Sequence, residues 1–300
     1  MRVGVDLGGT KIEAIAIDRE GRERFRRRVP APRGNYEDTL RAIAAIVAEA
    51  ERATGAPARV GIGIPGSASP ATGLIRNANS TWLNGRPLPV DLERVLARPV
   101  RLENDANCFA LSEAADGAGA GAPVVFGVII GTGTGGGVVV HGRRIVGHNA
   151  IGGEWGHNPL PWPERDEWPG PPCYCGRSGC IETFLSGPAV SREFAARGGG
   201  TKSAIEIAAA ADAGDVRAME TIDRYVRRMA RALASVINLL DPDVIVLGGG
   251  LSNIDALYER VPAMWPRWTF SDVVTTPLKR AAHGDASGVR GAAWLWGADE

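Results

Sequence analysis

Apolar residues recur along this chain in short strand-like runs, and between the runs their spacing becomes helical. In the first third, strands are predicted over 3–7, 12–17, 59–64 and 99–102. Helices are predicted over 37–53, 90–97 and about 106–116. Strands that alternate with helices predict an α/β protein.

The second part of the chain repeats the opening pattern. A strand over 124–130, a glycine turn over 131–137 and a strand over 138–140 follow the same order as residues 3–17. A long amphipathic helix over 215–240, a strand that ends in the glycines 248–250 and a helix over 287–296 come later. We therefore expect a duplicated α/β lobe.

A Gly/Ala break at 117–122 predicts a hinge between the two lobes. The expected domains are a smaller α/β lobe over 1–117 and a larger α/β lobe over 118–286. The C-terminal segment 287–300, which contains the last predicted helix, is expected to return to the smaller lobe.

The composition narrows the classes of partner. Among 300 residues, Lys+Arg and Asp+Glu each number 34, which gives no basic surplus for nucleic acid or anionic membranes. No apolar run approaches the roughly 20 residues needed to span a bilayer. The N-terminus lacks a signal-peptide pattern, since Asp6 interrupts its apolar stretch. The sequence therefore predicts a cytoplasmic protein.

Three glycine clusters follow apolar strands and could bind phosphate. Backbone N–H groups in the turn 6–11 can form an anion-binding concavity, and Asp6 could hold Mg²⁺. The cluster 131–136 matches G-x-G-x-x-G, but the β-branched run 138–140 replaces the helix that a dinucleotide fold needs. With 248–250, these turns could clamp a nucleotide between lobes. The alternative is that all three are ordinary tight turns.

A polar segment, Glu103-Asn104-Asp105-Ala106-Asn107-Cys108, lies between a predicted strand and a predicted helix. Phosphoryl transfer requires a group that accepts the proton of the attacking hydroxyl. Asp105 is the candidate for this base, and Asn104 is a candidate sugar ligand. The alternative is that Asp105 only caps the following helix.

One histidine and three cysteines have metal-ligand spacing. His157, Cys173, Cys175 and Cys180 would provide the one nitrogen and three thiolates of a closed, tetrahedral structural Zn²⁺ site. The alternative is three free thiols in a loop. Glu154 and Glu182 flank these residues and could be directed at sugar hydroxyls, although either alone could be a surface or capping residue.

Eight blocks together resemble the ROK family, whose name covers repressors, open reading frames and sugar kinases. They are DLGGTK, GIPG, NANSTWLNG, ENDANC, IIGTGTGGG, GGEWGHNPL, CYCGRSGCIETF and DPDVIVLGGGLSN. The resemblance covers nearly the whole chain and implies a two-lobed, actin-like (ribonuclease H-like) ATPase fold with a zinc loop. The sequences of the blocks NANSTWLNG, EWGHNPLPW and HGDASGVRGAAWLW also resemble those of bacterial fructokinases of the manno(fructo)kinase type.

The resemblance also implies roles for individual residues. Asp105 matches the catalytic base, and the zinc ligands match His157, Cys173, Cys175 and Cys180. The sugar-contacting positions match Asn79, Asn104, Glu154, His157 and Glu182. The ATP-binding positions match Gly4, Val5, Asp6, Leu7, Gly8, Gly9, Thr10, Lys11, Thr132, Gly133, Thr134, Gly135, Gly136, Gly137, Val138, Val139, Val140, Gly249 and Gly250.

The function expected from these residues is ATP-dependent phosphorylation of a hexose. The resemblance favours D-fructose, converted to fructose 6-phosphate, with mannose as a further substrate, and it implies ATP, Mg²⁺, Zn²⁺ and a homodimer. A glucokinase or an N-acetylglucosamine kinase of the same family is the alternative. A sugar-sensing repressor is another, although the first glycine turn leaves no room upstream for a DNA-binding module. A zinc hydrolase is not expected, because four protein ligands leave no open position on the metal.

Overall fold

The protein is an α/β structure with mixed sheets, and the computed structural model describes residues 1–297. The strands are β1 (Arg2–Leu7), β2 (Lys11–Ile17), β3 (Glu23–Pro30), β4 (Arg59–Ile64), β5 (Ser67–Ala68), β6 (Ile75–Arg76), β7 (Val100–Asn104), β8 (Val124–Ile130), β9 (Thr134–Val140), β10 (Arg143–Arg144), β11 (Val244–Gly248) and β12 (Leu278–Arg280). The helices are α1 (Tyr36–Thr54), α2 (Leu88–Leu96), α3 (Asp105–Ala115), α4 (Glu182–Leu185), α5 (Gly187–Ala196), α6 (Ala204–Asp212), α7 (Val216–Leu240), α8 (Ala256–Arg260) and α9 (Ser287–Trp294).

Two five-stranded sheets share one topology. The first has the order β3-β2-β1-β4-β7 and the second the order β10-β9-β8-β11-β12. In each sheet the central strand pairs antiparallel with the strand that follows it along the chain and parallel with a later one. The internal repeat that the strand–glycine turn–strand pattern predicts therefore includes all five strands of each sheet.

Amphipathic helices cover the sheets. The apolar side of α1, including Leu40, Ile43 and Val47, packs against β1, β2 and β4. Asn35 caps this helix, since its side-chain oxygen accepts a hydrogen bond from the Asp38 amide at 3.0 Å. The long helix α7 packs its apolar side against β8 and β11, as its spacing predicts.

The helix α9 completes the core of the first sheet. A Cβ atom at Gly4 of β1 would overlap the carbonyl oxygen of Val289, and one at Gly61 of β4 would overlap that of Ala292. Glycine at these positions lets the helix backbone lie directly on the strands. The C-terminal helix thus packs on strands of the first sheet, and its assignment to the smaller lobe stays a prediction. Residues 298–300 of that prediction lie outside the described residues, and the domain boundaries 1–117 and 118–286 stay a prediction.

The structure corrects the predicted boundaries in one functional region. The glycine turn is shorter than 131–137, because β9 already begins at Thr134 and only 131–133 connect the strands. Glycines 135–137 pair with β8 as strand residues. They carry no side chains, so no hydrophobic pattern marks them. Among residues 1–297, no helix is long and apolar enough to cross a membrane.

Candidate active site

A cleft of about 630 Å³ opens between the ends of the two sheets. Its walls include most of the polar residues singled out in the sequence. It is lined by Pro65, Gly66, Ser67, Asn77, Asn79, Asn104, Asp105, Ala106, Ile129, Gly131, Thr132, Gly133, Thr134, Gly135, Gly136, Glu154, His157, Tyr174, Cys175 and Glu182. The candidate base, the candidate sugar ligands and the second glycine turn thus share one cavity.

Asp105 is the first residue of α3, directly after β7. The cap of this helix is Asn104, whose Oδ1 accepts a hydrogen bond from the Ala106 amide at 2.9 Å. Asp105 Oδ1 also accepts from the Ala106 amide, at 2.8 Å. The residue that caps α3 is therefore Asn104, so the alternative that Asp105 serves only as the helix cap does not hold. The Asn104 Nδ2 donates to the Gly66 carbonyl at 3.3 Å, so this side chain joins α3 to the segment that follows the neighbouring strand β4.

The electrostatic environment of Asp105 suits a proton acceptor. Its loss of hydration, reinforced by the negative charge of Asp6, raises the pKa of Asp105 to about 6. Burial also raises the pKa of Asp6 to about 6, against the opposing positive charge of Lys11. A general base works best when its pKa lies near the operating pH. Two neighbouring carboxylates in such a place are also suited to an oxygen-ligated cation such as Mg²⁺.

The first glycine turn connects β1 and β2. The Gly8 amide donates to the Lys11 carbonyl at 3.0 Å, and Arg33 Nε donates to the Gly9 carbonyl at 3.0 Å. The hydroxyl of Ser80 is buried opposite Gly9 and has no hydrogen-bond partner among the described residues. Gly4 packs against α9, and the side chains of Val5 and Leu7 are in the core. The backbone amides of Gly9 and Thr10 are therefore the part of this segment that is available for a phosphate.

The second glycine turn is fixed by Glu182, the first residue of α4. Glu182 Oε2 accepts a hydrogen bond from the Thr134 amide at 2.9 Å. A Cβ atom at Gly133 would lie 2.6 Å from the same oxygen. The carboxylate therefore positions the turn as well as lining the cleft. The glycines of β9 have a packing role, since a Cβ atom at Gly136 or Gly137 would collide with Trp155 or α3.

The remaining candidate ATP residues lie outside the cleft. Within residues 1–297, its lining includes 131–136 but not 4–11, 137–140, 249 or 250. Gly249 has a positive φ of 81° and approaches the Ile130 carbonyl, whereas a Cβ atom at Gly250 would meet nothing within 4 Å. The roles of these residues in binding ATP stay predictions.

The four candidate metal ligands converge. The ligand atoms of His157, Cys173, Cys175 and Cys180 all lie within 4.8 Å of one another. The His157 Nδ1 and the Cys173 Sγ are 3.6 Å apart, as are the sulfurs of Cys175 and Cys180. These separations match the edges of a tetrahedron with zinc–ligand bonds of about 2.0–2.3 Å. The donor set of one nitrogen and three sulfurs therefore fits Zn²⁺.

The other ring nitrogen of His157 faces Tyr174. Its Nε2 lies 3.0 Å from the Tyr174 hydroxyl, and the two rings are nearly perpendicular. With Nδ1 on the metal, Nε2 carries the proton and donates to Tyr174. Both nitrogens therefore have partners in this arrangement. Direct contact between His157 and a sugar stays a prediction and requires displacement of the Tyr174 hydroxyl.

Glu154 and Asn79 are available to a ligand. Both are exposed in the cleft, and their side chains form no hydrogen bond within residues 1–297. Glu154 directly precedes the short 3-10 turn Trp155–His157, so the segment that supplies a metal ligand also positions this carboxylate.

Sequence reasoning missed several residues that line the cleft, among them Ser67, Asn77 and Tyr174. Asn77 adopts a positive φ of 58°, a conformation that asparagine tolerates. Tyr174 lies between two candidate metal ligands, and Asn77 begins the block NANSTWLNG, from which only Asn79 was selected; these positions were the available signals. Ser67 has no spacing pattern that could have identified it.

Comparison with known proteins gives matches over nearly the full chain. A family model described as the ROK family matches residues 2–299. The N-acetyl-D-glucosamine kinase of Pectobacterium atrosepticum is 42% identical over 299 residues, which cover 98% of this chain and 98% of that protein.

Solved structures share the fold. A ROK hexokinase from Thermus thermophilus matches with a TM-score of 0.88 and 34% identity, over 100% of this chain and 99% of that chain. A ROK family glucokinase from Streptomyces griseus, in complex with glucose and AMPPNP, matches with a TM-score of 0.78 and 30% identity, over 98% of each chain. The two mixed sheets fit the two-lobed, actin-like architecture expected from the sequence.

Proposed function

Since the chain belongs to the ROK family, we propose that it is an ATP-dependent sugar kinase that phosphorylates N-acetyl-D-glucosamine. The observation that carries this proposal is the single cleft in which Asp105, the candidate sugar ligands and the second glycine turn meet. The ROK glucokinase of similar fold binds glucose and an ATP analogue together, which supports two substrates in a cleft of this kind.

In the proposed mechanism, Asp105 accepts the proton of the attacking sugar hydroxyl. Asn104 caps α3 and thereby holds the Asp105 backbone in place. Glu154 and Asn79 bind sugar hydroxyls, because both are free in the cleft. Holding the hydroxyl in line with the γ-phosphate and excluding water supply most of the remaining catalysis in phosphoryl transfer.

The phosphates of ATP are assigned to the backbone N–H groups of residues 9–10 and 132–133, because the Gly8 and Gly131 amides already donate to the Lys11 and Gly133 carbonyls. Asp6 is the residue that would hold Mg²⁺, which neutralises developing charge on the phosphates when it is bound. The glycines 249–250 are assigned to the adenosine side, where Gly250 leaves the backbone open.

The zinc site has a structural role in this proposal. Its four protein ligands leave no position for a metal-bound water, so a zinc hydrolase does not fit. The metal would instead fix the loop that carries His157, Tyr174 and Glu182. Through the hydrogen bond from the Thr134 amide, this loop holds the second glycine turn.

The choice of sugar differs from the first expectation. Fructose was favoured because three short sequence blocks resemble those of bacterial fructokinases. The relative from Pectobacterium atrosepticum, an N-acetyl-D-glucosamine kinase, matches over nearly the whole chain. This similarity supports the alternative of an N-acetylglucosamine kinase over a fructokinase.

The test is ADP release with MgATP and one low concentration of N-acetylglucosamine, glucose, mannose or fructose, measured in parallel. We expect the highest kcat/KM with N-acetylglucosamine, and phosphorus NMR of the product should identify the 6-hydroxyl as the acceptor. Higher turnover of another sugar would retain the kinase and replace the substrate. A folded, zinc-loaded sample without turnover of any sugar would refute the proposal.

A further inference from the structure

A smaller pocket of about 170 Å³ adjoins the cleft. Ser67, Asn104 and Glu154 line both cavities, so the pocket opens beside the candidate sugar ligands. Its other walls are largely apolar and come from both sheets and from the loop after β10. They include Ile64, Ala68, Leu102, Val146 and Ile151.

Donors are present in the same pocket. The hydroxyl of Ser67 can donate, since its oxygen is approached only by Arg76 Nε at 3.5 Å. The guanidinium group of Arg144 contacts Glu103 and also lines the pocket. The pocket thus combines donors and an apolar wall at one side of the sugar site.

We propose that this pocket binds the acyl group of an N-acylated amino sugar, an inference that rests on the proposed kinase function. The carbonyl of the substituent accepts from Ser67 or Arg144, and its alkyl end packs against the apolar wall. A bare hydroxyl at the same sugar carbon leaves the wall uncovered. The pocket is therefore the feature that selects an acylamino sugar over glucose.

The size of the pocket makes the inference quantitative. A water-sized group occupies about 30 Å³, so 170 Å³ has room for about five such groups. An acetyl group has only three heavy atoms. The pocket should therefore accept one or two further carbons on the acyl chain.

The first test uses the native protein and a series of sugars: glucose, glucosamine, and the N-acetyl, N-propionyl and N-butyryl derivatives of glucosamine. We expect kcat/KM for the propionyl and butyryl sugars to stay within about 10-fold of that for the acetyl sugar, and the value for glucose to be at least about 10-fold lower. Complete rejection of the propionyl sugar would overturn the assignment of the acyl group to this pocket.

The second test fills the pocket with Ala68→Leu. The ratio of kcat/KM for the acetyl sugar to that for glucose should fall by at least about 10-fold, with a larger fall for the butyryl sugar. Ala48→Leu is the control, because Ala48 is a half-buried alanine of α1 that does not line the pocket, and its ratio should match the native value. A native ratio in a folded Ala68→Leu protein would overturn the inference. If Ala68→Leu does not fold, the acyl series with native protein decides alone.

The outcomes separate the two proposals. Without turnover of any sugar, the kinase function fails and the pocket assignment fails with it. Turnover of glucose with rejection of every N-acyl sugar retains a sugar kinase and refutes the acyl pocket. Both proposals are supported if the native protein prefers all three N-acyl sugars to glucose and Ala68→Leu reduces this preference.

Discussion

At the residue scale, Asp105 combines two properties that favour proton transfer. Its carboxylate has lost much of its hydration and lies near a second carboxylate, Asp6, so its pKa is raised to about 6. Its position at the start of α3 is fixed by the capping side chain of Asn104. A carboxylate held in this way is a stronger base than an exposed aspartate and is still ionised at neutral pH.

Replacing Asp105 with asparagine should lower kcat by about 10²–10⁴-fold, because the amide cannot accept the hydroxyl proton. The measurement is steady-state turnover with MgATP and N-acetylglucosamine. Asp212→Asn, an exposed aspartate at the end of α6, serves as the control and should leave kcat unchanged. A fully active Asp105→Asn protein would remove Asp105 from the mechanism.

The pH dependence follows from the same environment. Only the ionised carboxylate can accept a proton, and Asp6 is protonated in the same range, so kcat/KM should fall by about tenfold or more per pH unit once the pH drops below about 6. In Asp6→Asn, the loss of the neighbouring negative charge lowers the pKa of Asp105, and the acid limb should move to lower pH even though turnover is reduced. An acid limb near pH 4 in the native protein would contradict the raised pKa.

At the element scale, the zinc loop and the second glycine turn are mechanically connected. The loop leads into α4. The first residue of α4, Glu182, accepts the hydrogen bond from the Thr134 amide. Disorder in the loop would therefore reach the turn that is assigned to the phosphates of ATP.

Cys180→Ser should lower the bound zinc below one per chain and lower the Tm by about 5 °C or more, since metal binding stabilises the folded loop. The KM for ATP should rise because the second glycine turn loses its fixed partner. Zinc analysis, thermal unfolding and kinetics measure the three effects. Cys108→Ala is the control: Cys108 is buried in the core away from the metal ligands, so its loss should leave the zinc content unchanged.

The helix α9 offers a matched pair of glycines. A Cβ atom at Gly291 would overlap the carbonyl oxygen of Cys108 in α3, whereas one at Gly288 would meet nothing within 4 Å. Gly291→Ala should lower the free energy of unfolding by about 1–3 kcal/mol, and Gly288→Ala should raise it by up to about 1 kcal/mol. Denaturant unfolding of both variants measures the difference. Equal stabilities would mean that α9 does not pack closely against α3.

Several elements could be predicted from the sequence because their side chains report burial directly. The strand 59–64 and the strand 124–130 have the predicted bounds, and the long helix 215–240 differs by one residue. The helices between 182 and 212 were missed, since alanine and short polar residues there give a weak pattern. The start of β9 was missed because its glycines carry no side chains.

At the whole-molecule scale, many residues that line the cleft could be named from the sequence, but the smaller pocket that adjoins the cleft could not be predicted. Motif residues such as Asn104, Asp105 and Glu154 could be listed because each lies in a recognisable block. The pocket around Asn107 depends on side chains from β4, β5, β7 and the loop after β10, whose proximity only the tertiary fold determines. The homodimer expected from the family also stays a prediction, which sedimentation would test.

One ion pair joins the two sheets beside the cleft. Glu103 of β7 is buried and pairs with Arg144 of β10, and it also accepts from the Asn104 amide at 2.8 Å. Arg144→Met should lower the free energy of unfolding by about 1–3 kcal/mol, because the Glu103 carboxylate would lose its counter-ion. Denaturant unfolding measures the loss. The double variant Glu103→Gln/Arg144→Met should recover part of it, and a double variant as unstable as the sum of the single variants would contradict the pairing.

The packing of α9 against the first sheet affects the order in which the protein can mature during translation. The strands β1, β2 and β4 leave the ribosome early, but Ile15 and Ile17 of β2 are buried by Val289 and Ala293 of α9. Residues 287–294 emerge only after every described strand has been synthesised. The nascent chain must therefore carry an uncovered apolar sheet face through most of its synthesis, and this is the interval in which a chaperone would be needed.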